Sequence, residues 1–267
     1  MTRTFLATLH FDGSGFVGWQ RQAVGRSVQA EFESVLQRLL GQPATAHAAG
    51  RTDAGVHATG LGVSFTASDR WSAPELHRAL NSLLPRDCWV ETIQPMLPGF
   101  HARKCARSRR YRYDIGTDGA SSSPFRRPFE WALGRSLDLA RLRASATQLL
   151  GEHDFRAFAA KGEAKPHYLC RLVTAEWTLR SEDRGISFHV AADRFLHHMV
   201  RMLVGTMVDV GLDRRPLSDI ETLLERGDNH DTSPPAPPQG LYFIAADYPA
   251  ELCADALGEA HAAVDDA

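Results

Sequence analysis

Residues 9–32 read LHFDGSGFVGWQRQAVGRSVQAEF, and this stretch decides between two fold classes. Gly13, Gly15 and Gly18 fit the spacing G-x-G-x-x-G behind a strand. In a dinucleotide-binding fold such a loop opens directly into a helix, whose N-terminus holds a pyrophosphate. Here the segment from Trp19 to Arg26 intervenes, and the helical pattern starts only near Ser27. No strand–helix–parallel-strand repeat follows, so the glycine spacing does not by itself carry a cofactor. A glycine-rich loop with Trp19, Gln20, Arg21 and Gln22 beside it suits a polyanion better than a nicotinamide dinucleotide.

Working outward, residues 4–11 read as a strand. Residues 27–41 read as a helix, with Val28, Phe32, Val35, Leu36, Leu39 and Leu40 at helical spacing, Ser27 at its start and Gly41 at its end. Strand 59–67, helix 73–84 and strand 88–96 follow. A second, similar order begins with the strand SRRYRYDIG (108–116) and the helix 137–151. A hairpin of 172–180 with 185–192 comes next, then helices 195–211 and 217–227 and a closing strand 240–248. The proline-rich SPPAPPQG (233–240) reads as a loop into that last strand. Two α+β halves are expected, joined near residues 100–108, each a sheet covered by helices on one face. Boundaries of 1–105, 106–248 and an acidic tail 249–267 follow from this order.

Net charge is −2, and 43% of residues are hydrophobic, values ordinary for a globular chain with a core. No apolar run approaches the roughly 18 residues of a membrane span, and the first residues do not read as a secretory signal, so a cytoplasmic protein is expected. Cys88, Cys105, Cys170 and Cys253 are scattered, as reduced thiols would be. The near-neutral total hides an asymmetry. Between Phe100 and Arg135 stand Arg103, Lys104, Arg107, Arg109, Arg110, Arg112, Arg126, Arg127 and Arg135 against Asp114, Asp118 and Glu130. From Asp247 onward there are acids and neither Lys nor Arg. A basic middle points to an anionic partner.

Three places carry candidate chemistry. GRTDAGVH (50–57) sets Asp53 between glycines. Asp53 is either a turn residue bonding nearby backbone N–H groups or a carboxylate aimed at a substrate. Ionised carboxylates are the default at neutral pH, and a nearby Arg favours that form. Arg51 and Arg201 are the candidate cations. Arg201 borders the apolar stripe of its helix with Gly205 one turn on, so it either reaches inward or snorkels to solvent. In RRYRY (109–113), Tyr111 and Tyr113 point one way and Arg110 and Arg112 the other. Arginines for phosphates and rings for exposed bases suit RNA; tyrosines packed on a core beneath an exposed strand are the alternative. His197 and His198, adjacent on the expected helix, would diverge by about 100° and hold no common ion, so no metal is expected.

Taken together, FDGSGFVGWQRQ, AGRTDAGVHATG, NSLLP, FHAR, RRYRY, GEHDF, FLHHMVR and GLYF resemble the bacterial tRNA pseudouridine synthase A family in order and spacing, over roughly residues 4–248. The resemblance implies isomerisation of uridine to pseudouridine at nucleotides 38 to 40 of the tRNA anticodon stem-loop. It implies no cofactor and no metal, a homodimer that binds tRNA in basic clefts, and two ferredoxin-like α+β subdomains sharing a continuous, mostly antiparallel sheet. Asp53 matches the family's nucleophile, forming an adduct at the base or at ribose C1′. Arg51 matches the arginine that helps displace the base, Tyr111 the tyrosine that stacks on it, Arg201 the arginine paired with the carboxylate, and Leu241 an apolar residue packed against the base. The segment 161–172 departs from the family pattern, keeping Arg171 but placing Tyr168, Leu169 and Cys170 before it, which leaves the set of accepted tRNAs open. The alternatives are a tRNA-binding protein without catalysis and an oxidoreductase built on GSGFVG.

Overall fold

The computed structural model describes residues 1–160, 167–181, 184–226 and 228–254. The acidic stretch beyond 254 and the first half of the departing segment 161–172, residues 161–166, therefore lie outside the described residues. The chain divides into two compact units, residues 1–108 with 243 onward, and residues 109–242.

The first unit begins with β1 (Thr2–Phe11), α1 (Val28–Leu40), β2 (His47–Ala48), β3 (His57–Ser68), α2 (Ala73–Leu83) and β4 (Cys88–Met96). Its strands run in the order β4-β1-β3, antiparallel, with β2 against β3. Helix α1 is set by the residues read from sequence: the Ser27 hydroxyl accepts from Ala30 N–H, and Gly41 ends the helix with φ 72°. Its apolar stripe meets the sheet through Phe32, whose ring stands edge-on to Phe65 at 5.8 Å, and Phe65 stacks on Phe5 of β1 at 5.9 Å. All three rings are fully buried, and together they centre this unit's core.

Asn81 ties α2 to β4 by mimicking a strand neighbour. Its amide donates to Val90 O and its carbonyl accepts from Val90 N–H, both at 2.8 Å. Val90 is fully buried, so these two backbone groups would otherwise go unpaired. Asn81→Ala is expected to destabilise the protein by about 2–4 kcal/mol, the cost of stranding two buried backbone groups, measured by urea unfolding with an unchanged m-value.

The second unit comprises β5 (Ser108–Gly116), β6 (Trp131–Ala132), α3 (Leu139–Thr147), β7 (Gly151–Asp154), β8 (Leu169–Leu179), β9 (Ile186–Ala192), α4 (Met199–Gly211) and α5 (Ser218–Arg226). Its strands run β5-β9-β8-β7, antiparallel, with β6 parallel to the end of β5. Trp177 of β8 and Phe188 of β9 pair across the ladder with rings 4.9 Å apart. The Trp177 indole N–H donates to Met207 Sδ of α4, anchoring that helix in the core. Glu130, buried ahead of β6, is neutralised by Arg126 and Arg180.

The last strand, β10 (Leu241–Asp247), begins in the second unit and returns the chain to the first. The division therefore differs from the boundaries expected at 105 and 248. Residues 243–254 join the first unit because Ile244 packs its carbonyl against Gly60, Tyr248 stands edge-on to Phe100, and Leu252 O accepts from Leu97 N–H. Both units are α+β, as the order of elements indicated.

Helix α4 starts at Met199, four residues later than its pattern indicated. His198 adopts φ 62°, a left-handed conformation unusual for a non-glycine residue, and so cannot continue a helix backward. The argument that His197 and His198 diverge along a helix therefore fails: both precede the helix, and their rings lie 4.0 Å apart.

Candidate active site

Asp53 sits in the short loop between β2 and β3, half-buried, with Arg51 exposed and Thr52 buried on its near side. Asp53 O accepts from Val56 N–H at 3.2 Å, closing a turn whose third residue, Gly55, has φ 76°. That positive φ is the demand a glycine meets at this position. The turn is braced along its length by the glycine-rich segment. Trp19 N–H donates to Thr52 O at 3.1 Å, Gly55 N–H to Phe16 O at 3.2 Å, and Gly13 N–H to His57 Nδ1 at 3.0 Å.

Two of the three motif glycines exist for this contact. A Cβ on Gly13 would lie 2.0 Å from Val56 O, and one on Gly18, where φ is 106°, would lie 2.5 Å from Thr52 O. Gly15 meets nothing closer than 3.6 Å. The segment itself is held by Arg26, which binds Asp87 through both terminal nitrogens and Glu31 through Nε, with its guanidinium 4.3 Å above the Phe16 ring. These carboxylates push the Arg26 pKa further up, so its charge is fixed. GSGFVG is thus a brace for the Asp53 turn.

The same packing corrects one sequence expectation. Trp19 is 2% exposed and belongs to the core, so it does not face a polyanion. Gln20 bonds Gln29 and Arg21 bonds Glu33, both anchoring the segment to α1. Of the four residues Trp19 to Gln22, Arg21 and Gln22 are the exposed ones.

In the second unit, Tyr111 and Tyr113 share the buried face of β5, as their alternation required. Tyr113 is fully buried and donates to Pro237 O at 2.7 Å. Burial pushes its phenol well above the usual range, opposed in part by the charge of Arg201. It is a supporting residue: Gly240 lacks a side chain because a Cβ there would press 2.7 Å into the Tyr113 ring. Tyr113→Phe is expected to lower stability by about 0.5–1.5 kcal/mol, the net worth of the lost bond to the half-buried Pro237 carbonyl, and to leave turnover unchanged. Thermal unfolding beside steady-state kinetics checks both halves.

Tyr111, 9% exposed, stands edge-on to Phe195 at 4.9 Å, a contact the sequence did not announce. Arg201, on the first turn of α4, does not snorkel. Its Nε donates to Ala236 O at 2.7 Å, and Ala236 N–H returns a bond to Arg201 O at 2.9 Å. One turn on, Gly205 admits Pro234 O, which a Cβ would meet at 2.2 Å. The proline-rich segment thus clamps the arginine on its helix. Leu241 is 5% exposed at the start of β10.

The basic strand is less available than its composition implied. Arg112 is spent on Asp114 at 3.1 Å and lies 4.7 Å over the Tyr242 ring, while Arg126 bonds Asp118 at 2.7 Å and Glu130. Both are paired with acids of their own unit, Asp114 and Glu130 buried and Asp118 half-buried. Arg103, Lys104, Arg107, Arg110, Arg127 and Arg135 are exposed.

The chain thus carries a braced aspartate turn with an arginine two residues before the aspartate, and elsewhere a basic strand bearing Tyr111. The sequence model of the family described as tRNA pseudouridine synthase matches residues 7–103 and 145–249. The chain belongs to that family. Its members are isomerases. The chain is 39% identical to the tRNA pseudouridine synthase A of Moorella thermoacetica over 243 residues, 90% of this chain and 98% of that one. It is 38% identical to that of Myxococcus xanthus, covering 88% of each chain. To that of Streptococcus pneumoniae (strain Hungary19A-6) it is 35% identical, covering 91% and 97%. The matched residues contain the brace, the Asp53 turn, Arg201 and Leu241; Tyr111 falls in the unmatched stretch 104–144.

Proposed function

We propose that this isomerase converts uridine to pseudouridine at nucleotides 38 to 40 of the tRNA anticodon stem-loop, with Asp53 as nucleophile. The observation that carries the reading is the Asp53 turn, whose backbone is bonded at Thr52, Asp53 and Gly55 so that the side chain has a fixed origin. In a stacked stem the glycosidic bond is out of reach, so the nucleotide is flipped out at a cost of a few kcal/mol. Tyr111 offers the ring on which the base stacks, returning about 1–3 kcal/mol. Leu241 packs against the base, and Arg51 fills the space it vacates.

Asp53 attacks at the base or at ribose C1′. The N1–C1′ bond breaks, the uracil turns, C5 bonds to C1′, the bond to Asp53 breaks and returns the free carboxylate, the C5 proton departs and N1 takes up a proton. Atoms balance without a co-substrate, so no cofactor or metal is called for. Arg201 supports the carboxylate charge through each stage, and Tyr111 assists removal of the C5 proton. The protein acts in the cytoplasm as a homodimer, with the exposed basic residues of each unit meeting phosphates. Among the described residues no helix is long and apolar enough to cross a membrane.

The non-catalytic reading is not favoured, since the family is one of enzymes. Release of tritium from C5-labelled uridine in tRNA tests the activity, and carbodiimide mapping of the product tests the position. Absence of release sinks the catalytic reading; release with modification outside the anticodon stem-loop sinks only the site. Arg201→Leu is expected to lose turnover far more than tRNA binding.

A further inference from the structure

His57 closes GRTDAGVH and begins β3, yet nothing in the proposed chemistry uses it. It is 2% exposed. Its Nδ1 lies 3.0 Å from Gly13 N, where it accepts the backbone N–H and so carries its ring proton on Nε2. The Asp12 carboxylate lies 3.3 Å from the same nitrogen, but its Oδ1 already accepts from Ser14 N–H at 2.9 Å. Gly13 is in turn the residue packed against Val56 O, one position before His57. The bond therefore ties the exit of β1 to the entry of β3, the point where the chain leaves the Asp53 turn.

We infer that His57 is a positioning residue for the reaction: its Nδ1–Gly13 bond fixes the C-terminal leg of the Asp53 turn and thereby the aim of the carboxylate. The inference rests on Asp53 being the nucleophile. The other two brace bonds, at Thr52 and Gly55, involve backbone alone, so His57 supplies the one side chain among the three. Without it the Gly13 N–H would be buried and unpaired, and the leg would relax to satisfy it. A displacement of about 1 Å at a reacting group costs on the order of 10²-fold in rate.

The test compares His57→Asn with His57→Gln in the full chain. An Asn amide places its oxygen where Nδ1 stands, one bond from Cγ, and can accept from Gly13 N–H. A Gln amide places its polar atoms where Nε2 stands and cannot. Steady-state kcat and KM on tRNA are measured, with Asp53→Asn in parallel. The expected result is kcat within about threefold of wild type for Asn and lower by about 10- to 10²-fold for Gln, with KM near wild type in both. Equal turnover in the two variants, whether high, low or lost to misfolding, or a higher turnover for Gln, overturns the inference. Activity retained by Asp53→Asn overturns the nucleophile reading instead, while the Asn–Gln order still reports whether the Nδ1 bond governs turnover.

Discussion

Asp53→Asn is expected to lose pseudouridine formation by at least about 10⁴-fold while tRNA binding stays within about threefold of wild type. The substitution is nearly isosteric. The turn is held by backbone bonds from Trp19 N–H to Thr52 O, from Val56 N–H to Asp53 O and from Gly55 N–H to Phe16 O, none of which uses the carboxylate. The variant should therefore fold and present the same loop. What it lacks is an oxygen with electron density to give: the amide oxygen is a far poorer nucleophile than a carboxylate. The readings that compete for Asp53 separate cleanly here. A turn residue would cost some stability and leave rate per folded molecule intact. A nucleophile would cost rate and leave the melting temperature nearly intact. Tritium release, circular dichroism melting and filter binding on one preparation distinguish them, and wild-type release by the variant would remove Asp53 from the mechanism.

Where the sequence was legible, the cause was local. Helix α1 has its cap, its stripe and its terminating glycine within fifteen residues, and β5 alternates from Arg110 to Tyr113, so Tyr111 and Tyr113 fall on one face as expected. Where it was not, partners distant in the chain decided. Strand β7 is Gly-Glu-His-Asp, with no strand propensity of its own; it exists because β8 supplies the ladder. Trp19 reads as an exposed aromatic in a polar loop, but strapping that loop over the Asp53 turn drives the ring into the core. Helix α4 loses its first turn to the left-handed His198, which no periodicity announces. In the candidate site, Asp53 and Arg51 were legible as a motif and Tyr111 from its strand. The clamp on Arg201 was half visible, as Gly205, but its other half is the carbonyl of Ala236, thirty-five residues away. Proline-rich loops carry no sign of which helix their carbonyls will meet.

The glycine motif gives the second large effect, and an order of sensitivity that separates two functions. Gly18→Ala must hold an L-residue at φ 106° and place a methyl 2.5 Å from Thr52 O, so a loss of about 3 kcal/mol or more is expected. Gly13→Ala faces Val56 O at 2.0 Å, backbone against backbone, where no side chain can swing aside, and should be at least as damaging. Both push on the turn that bears Asp53, so turnover of the molecules that remain folded should also fall, by on the order of 10²-fold. Gly15→Ala meets only the Arg26 and Asp87 side-chain ends at 3.6 and 3.7 Å and should stay within about 0.5 kcal/mol of wild type, with turnover unchanged. A dinucleotide loop predicts the reverse at Gly15, because there the second glycine lets the backbone approach the pyrophosphate. Urea unfolding and tritium release on the three variants therefore decide what the motif is for. Sensitivity at 13 and 18 with tolerance at 15 marks a brace under a catalytic turn; intolerance at 15 with tolerance at 18 would mark a phosphate cradle and detach GSGFVG from Asp53.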